Sequence, residues 1–194
     1  MWPGKPKTVR LVAVLLALAP LPAAASGAQA LWSELEKTEW IALGAEDPER
    51  VVYAFTDPNC PYCHLLWQAS KPYYDEGLQV RHILVGYLKP SSPAKAAAIM
   101  EADNPSEALR KHEESHASGG IEPADSPSDE AQETLAANRS LMGRLGLRGT
   151  PGLIFRNGNG GVRKVAGMPK VGQLPQIFRL PEQPQDHPAL EPYK

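Results

Sequence analysis

Two cysteines three residues apart, Cys60-Pro61-Tyr62-Cys63, stand where the sequence changes from one periodicity to another. Before them, Val51-Val52-Tyr53-Ala54-Phe55 is a short unbroken apolar run, as expected of a strand buried on both faces. After them, Leu65, Leu66, Trp67 and Ala69 recur at helical spacing. Residues 80–86 read as a second strand, so residues 51–86 read strand, helix, strand, which suits a parallel pair with a crossover helix. The cysteine pair therefore opens a helix. Cysteines at i and i+3 lie one above the other there, within bonding reach as a redox disulfide. At the helix start, unpaired N–H groups and the helix dipole favour thiolate over thiol. Cys60 is thus the candidate nucleophile. Cys63, a turn further in and more shielded, is the candidate resolving thiol. Pro61 presets the first turn, and Tyr62 is expected to tune the pair or touch substrate.

These are the only cysteines in 194 residues, too few for a disulfide-stapled miniprotein or a four-cysteine zinc site. A net charge of −2 argues against nucleic-acid binding, which needs a cationic face. Lys5, Lys7 and Arg10 precede an apolar run, Leu11 to Ala19, followed by Pro20, Pro22 and Ala23-Ala24-Ala25. That order is a secretory signal peptide over residues 1–25, cut after Ala25 or, alternatively, after Ala30. The run is too short to span a bilayer, so no stable membrane insertion is expected. The mature chain is expected to be acidic and exported to an oxidising compartment.

Residues 30–43 read as an amphipathic helix with Leu31, Leu35 and Ala42 on one side and Gly44 as its stop, within a linker at 26–50. Residues 91–147 show no strand pattern. Ser92-Pro93, Asn104-Pro105 and Ser126-Pro127 mark three helix starts, and Glu107 and Asp129 complete capping boxes. Leu135, Asn138, Met142 and Leu145 follow one helical face. Residues 152–156 are a third strand, 157–161 a hairpin turn, 162–166 a strand with one wet face, and 170–180 a short helix. The proline-rich tail, 181–194, is expected to be disordered.

This order resembles a thioredoxin-like α/β fold with a helical insertion between the second strand and the Thr-Pro strand, a redox domain over 51–180. It is similar to the redox domain of periplasmic disulfide isomerases of the DsbC/DsbG family, the DsbG branch being the nearer. The resemblance rests on Phe55 to Cys63, Leu84-Val85-Gly86, Lys89-Pro90, Ser92-Pro93-Ala94 and Gly149-Thr150-Pro151, and it covers roughly residues 30–180. It implies a cis-proline at Pro151 beside the cysteines, with Thr150 and Pro151 binding substrate. It implies no metal or organic cofactor. The expected partners are exported proteins with disulfides, thiols or sulfenic acids, and a membrane thiol reductase of the DsbD type. Family members carry a dimerisation domain before the linker helix. No segment here matches it, so a monomer is expected.

Rival readings remain. A monomer of this kind resembles a dithiol oxidase of the DsbA type. Cys60-Pro61-Tyr62-Cys63-His64 is also the C-x-x-C-H motif of c-type haem attachment, with His64 proximal and Met100, Met142 or Met168 distal. Zinc on Cys60, Cys63 and two of His64, His82, His112 and His116 satisfies a ligand count. His112 and His116, four apart, read instead as a solvated helix face. A chaperone-like binding module is the non-enzymatic alternative. Asp57 reads as a turn former, with a buried carboxylate assisting proton transfer from Cys63 as the alternative, Tyr53 and Trp67 as core, and Arg144, Arg148, Arg163 and Lys164 as solvated surface.

Overall fold

The computed structural model describes Met1 and residues 23–194, with side chains from residue 27 onward. The segment read as a signal peptide, residues 1–25, lies outside the described residues except for Met1 and its last three, and both expected cleavage points fall within the first helix, α1 (Ala23–Glu36). Five strands form one sheet in the order β1-β3-β2-β4-β5. They are β1 (Ile41–Gly44), β2 (Arg50–Thr56), β3 (Leu78–Leu84), β4 (Gly152–Arg156) and β5 (Val162–Ala166). The β2–β3 pair is parallel and every other pair is antiparallel. Helix α2 (Pro61–Ser70) makes the crossover between β2 and β3, as the change of periodicity predicts.

β2 is central, and its alternate residues enter two cores. Val52 and Ala54 pack with Leu66, Tyr73, Leu153 and Phe178, on the side of α2 and of α6 (Leu174–Phe178). Tyr53 and Phe55 pack with Trp32, Leu35, Leu141 and Ile154, against α1 and α5 (Asp129–Arg144). Period-2 alternation on a strand buried on both faces produces this division. A third cluster joins Ile41 and Leu43 of β1, Trp67 of α2 and the insertion through Ile99, Leu109 and Leu135. The insertion comprises α3 (Ser92–Met100), α4 (Pro105–Glu114) and α5.

Four expectations from the sequence need correction. The helix placed at 30–43 ends at Glu36, and Ile41–Gly44 is an edge strand on β3. Ile41 and Leu43 point inward and Ala42 outward, a period of two that the helical reading overlooked. Gly44 is not a helix stop: its φ is +109°, and a Cβ there would lie 2.2 Å from the Leu78 carbonyl oxygen. The helix expected from Ser126-Pro127 begins two residues later, where the Ser128 hydroxyl accepts from the Ala131 N–H at 3.1 Å, so Asp129 is its first residue and not a capping-box acid. The tail is not disordered. A 3₁₀ turn over Pro188–Tyr193 buries Leu190 completely in the α2–α6 core, and Gln185 Nε2 donates to the Ala69 carbonyl at 3.1 Å. Leu180 and Tyr193 pack against the same core and Lys170 Nζ donates to the Pro192 carbonyl at 2.9 Å, contacts that the polar composition of the tail did not suggest.

Other expectations hold. Asn104 caps α4 by accepting from the Glu107 N–H at 3.1 Å. The hairpin joining β4 to β5 turns at Asn157, whose Oδ1 accepts from the Gly161 N–H. Asn138 faces inward from α5 and donates to the Leu84 carbonyl at 3.0 Å, fixing the insertion to the end of β3.

Candidate active site

Cys60 is the N-cap of α2, with extended backbone (φ −88°, ψ 112°), and Pro61 follows at the first helical position. The Cys60 Sγ takes the place a capping oxygen usually fills and accepts the Cys63 N–H at 3.3 Å. From the other side it donates to the Thr150 carbonyl at 3.3 Å. The Thr150–Pro151 peptide is cis. The N-cap of α2 and the loop entering β4 therefore meet at one sulfur, 90 residues apart in sequence. Both cysteines are free thiols and both are buried.

The two sulfurs differ in chemistry more than in exposure. The Cys60 thiol is brought down to about 7, first by the hydrogen bond from the Cys63 thiol. Burial opposes this, and the nearby Thr150 side chain and the Cys63 and Tyr62 amides assist it. The helix amides thus contribute as the sequence suggested, but the partner thiol contributes more. Cys63 is pushed well up, mainly by burial and then by its bond to Cys60. One sulfur is poised to attack near neutral pH while the other holds its proton. Tyr62 is half exposed beside them.

Asp57 does more than form a turn. Its carboxylate is buried and accepts four hydrogen bonds. Oδ1 takes the Asn59 N–H at 2.9 Å and the Ser92 hydroxyl at 2.8 Å. Oδ2 takes the N–H groups of Tyr87 and Leu88 at 2.8 and 3.0 Å. Ser92 is thereby a brace and not a cap. Its Oγ also accepts from Asn59 Nδ2 and from the Lys89 N–H. Together these bonds tie the turn before Cys60 to the loop after β3 and to the start of α3.

The histidines are a second correction. His112 is fully buried, not on a solvated face. It meets the Pro58 carbonyl through Nε2 at 2.8 Å and accepts the Ile121 N–H through Nδ1 at 3.0 Å. That fixes its tautomer, with the proton on Nε2. Gly120 closes over the ring, since a Cβ there would sit 2.3 Å from Nδ1. His64 meets the buried Glu113 of α4 at 2.9 Å and stacks on His116 at 4.4 Å. His82, fully buried in β3, approaches the Thr56 hydroxyl at 3.4 Å, and its imidazole is lowered to about 4 by burial. Among the described residues no group of three or more His, Cys, Asp or Glu side chains is arranged to hold a metal ion. His64, the proximal ligand of the haem reading, is engaged by Glu113 instead.

Sequence reasoning identified Cys60, Pro61, Tyr62, Cys63, Thr150 and Pro151, and the fold brings all six together. It missed Glu113, Ser92 and Tyr87. Their partners are 30 to 49 residues distant in sequence, and no local spacing links them. Tyr53 and Trp67 are core, as read. Of the charges read as solvated, Arg144 pairs with Glu34 and Lys164 donates to the Leu145 carbonyl, both in exposed positions.

Comparison with known proteins agrees with this geometry. Residues 40–179 match the thioredoxin-like domain family. Thiol:disulfide interchange protein DsbG of Pseudomonas aeruginosa is 37% identical over 152 residues, covering 78% of this chain and 59% of that protein. DsbG of Escherichia coli is 36% identical over 143 residues, covering 72% and 56%. The chain thus spans somewhat more than half the length of these curated relatives. Among solved structures, a disulfide interchange protein from Neisseria gonorrhoeae superposes with a TM-score of 0.56 at 26% identity, over 75% of this chain and 96% of that one. The catalytic domain of Proteus mirabilis ScsC superposes with a TM-score of 0.60 at 22% identity, over 78% and 96%, and supports the fold.

Proposed function

The chain belongs to the thioredoxin-like family, and from that premise we propose that it is a thiol:disulfide interchange oxidoreductase of the DsbG/DsbC kind, acting on exported proteins in the periplasm. The observation that carries this reading is the Cys60 Sγ at the α2 N-cap, held between the Cys63 amide and the Thr150 carbonyl. Cys60 attacks one sulfur of a client disulfide, expelling the other sulfur as a thiolate, or attacks the sulfur of a sulfenic acid, expelling its hydroxyl as water, and forms a mixed disulfide. Cys63 then loses its proton and attacks the Cys60 sulfur. The client leaves as a thiol, and a Cys60–Cys63 disulfide remains. Thr150 and Pro151 present main-chain groups to the client segment beside the reacting sulfur, and Tyr62 borders it. A membrane thiol reductase of the DsbD type restores the dithiol. The chemistry needs only the two sulfurs, with no metal or organic cofactor. Among the described residues, no helix is long and apolar enough to cross a membrane.

Reduction of insulin disulfides by the purified reduced protein tests the reading. Cys60→Ala is expected to abolish it, and a Cys60→Ala protein that still reduces insulin would overturn the assignment. A Soret band in the purified protein would do the same in favour of haem. Trapping free thiols in intact cells reads the direction of electron flow: a mainly reduced pair is expected, and a mainly oxidised pair would reverse it.

A further inference from the structure

Four segments converge on the reacting sulfurs. Residues 58–63 carry them, and the loop at 85–91 is tied to the turn before Cys60 through Asp57. The loop at 145–151 brings the Thr150 carbonyl, and in the turn at 166–168 the Gly167 N–H donates to the Pro151 carbonyl at 2.8 Å. The protein has 22 acidic residues against 20 basic ones, yet these four segments hold no Asp or Glu. Asp57, just before them, is buried and engaged by four donors. The segments do hold Lys89 and Arg148, and Arg139 joins them from α5. The Arg139 guanidinium lies over the Tyr87 ring, 4.6 Å from its centroid. Tyr87 in turn packs on the cluster that contains Met142 of α5 and Leu147 of the loop carrying Arg148. Arg148 stands two residues before Thr150, so their Cα atoms lie within about 7 Å of each other. The Lys89 N–H donates to Ser92 Oγ at 3.0 Å, on the brace that holds the turn before Cys60. All three side chains are exposed, and among the described residues none of them has a carboxylate partner. Exposed cations elsewhere do pair: Arg110 with Glu107 and Glu114, Arg144 with Glu34, and Lys194 with Glu191. The exposed acids Glu122 and Asp125 belong to the insertion, where the Ala124 N–H donates to the Ala94 carbonyl at 3.0 Å. Unpaired positive charge therefore gathers on the α5 side of the site.

We propose that Lys89, Arg139 and Arg148 select client segments in which acidic side chains neighbour the cysteine to be reduced. The inference rests on the function proposed above and names the substrate class of that same site. A client segment lying extended across Cys60 advances about 3.3 Å per residue, so carboxylates one to three places from its cysteine come within reach of these cations. Stacking on Tyr87 orients the Arg139 fork before a client arrives, and a guanidinium offers a carboxylate two parallel hydrogen bonds. The rim also offsets the repulsion that an anionic segment would exert on the Cys60 thiolate. At exposed positions such charges act mainly by quickening encounter, so the preference resides in the second-order rate and salt removes it.

Disulfide-linked dimers of an acetylated, amidated peptide provide the test, with its one cysteine flanked on each side by two Glu, two Gln or two Lys. The reduced full chain is mixed with each dimer and the release of peptide thiol is followed. Each rate is divided by that of dithiothreitol with the same dimer, which removes the intrinsic reactivity of the disulfide. At low salt the Glu dimer is expected to react about tenfold faster than the Gln dimer. The difference should vanish at about 1 M potassium chloride, where charges are screened beyond about 3 Å. A Lys89→Gln, Arg139→Gln, Arg148→Gln triple variant should lose the preference, and Arg148→Glu should raise the Lys dimer relative to the Gln dimer. A wild-type protein that reduces all three dimers without preferring Glu overturns the inference and leaves the proposed function intact. So does a preference that survives high salt or the triple variant. A wild-type protein that reduces none of the dimers overturns the proposed function itself.

Discussion

The start of α2 is held by two polar neighbourhoods of different character. On the sulfur side, the Asp57 carboxylate, the Ser92 hydroxyl and the main chain of residues 87, 88 and 150 make short bonds to one another and to Cys60. On the insertion side, three imidazoles gather around one carboxylate. His64 pairs with Glu113 and stacks on His116, while His112 grips the Pro58 carbonyl. Fixed hydrogen bonds set the reactivity of Cys60. The histidines of this side, with His82 behind them, include imidazoles that burial holds neutral, at His82, His112 and His116. Reactivity and acid tolerance are thus set by different residues, although both act on the same ten-residue helix.

The sharpest way to break this division is to remove its keystone. Asp57→Ala orphans three main-chain N–H groups, those of Asn59, Tyr87 and Leu88, and releases the Ser92 hydroxyl, all in buried or part-buried positions. A loss of about 4 kcal/mol in urea unfolding is expected. A loss below about 1 kcal/mol would mean that Asp57 only shapes a turn.

His82 provides the next largest effect. Its folded value of about 4 lies below the 6.5 of an unfolded histidine, so the unfolded chain binds the extra proton first. The stability linked to keeping it neutral is complete above about pH 6.5 and is lost as pH falls toward 4. The full amount is about 3 kcal/mol. Unfolding free energy measured across that window should slope downward in acid, and His82→Gln should flatten the slope. An unaltered slope would place acid sensitivity elsewhere.

The smallest effect is expected at Glu113→Gln. Gln keeps an oxygen that can accept from the His64 ring, so about 1 kcal/mol is at stake. Cys60 should still titrate near 7 in this variant, by alkylation rate against pH, because its causes lie on the sulfur side. A displaced titration would show that the two neighbourhoods are coupled.

What was legible in the sequence was local. The alternation of periodicity around Cys60 located β2, α2 and β3, because burial on both faces of a strand and on one stripe of a helix writes itself into consecutive residues. The proline-led start of α4 and the β4–β5 hairpin were legible for the same reason. Edge strand β1 was not. Four residues contain too few repeats to separate a period of two from one of 3.6, and pairing with β3 decided the matter. The docked tail was hidden likewise, since Leu190 means little until α2 and α6 form the groove that buries it. At the site, the chain order alone determined that a nucleophile would open a helix with its resolving partner one turn behind. Only the tertiary structure decided what surrounds them. It brought Thr150 to the sulfur, gave Asp57 four donors, placed Tyr87 beside Thr150, and turned His112 inward. Contacts across 30 to 90 residues depend on how whole elements pack, and no periodicity within a short segment encodes that packing.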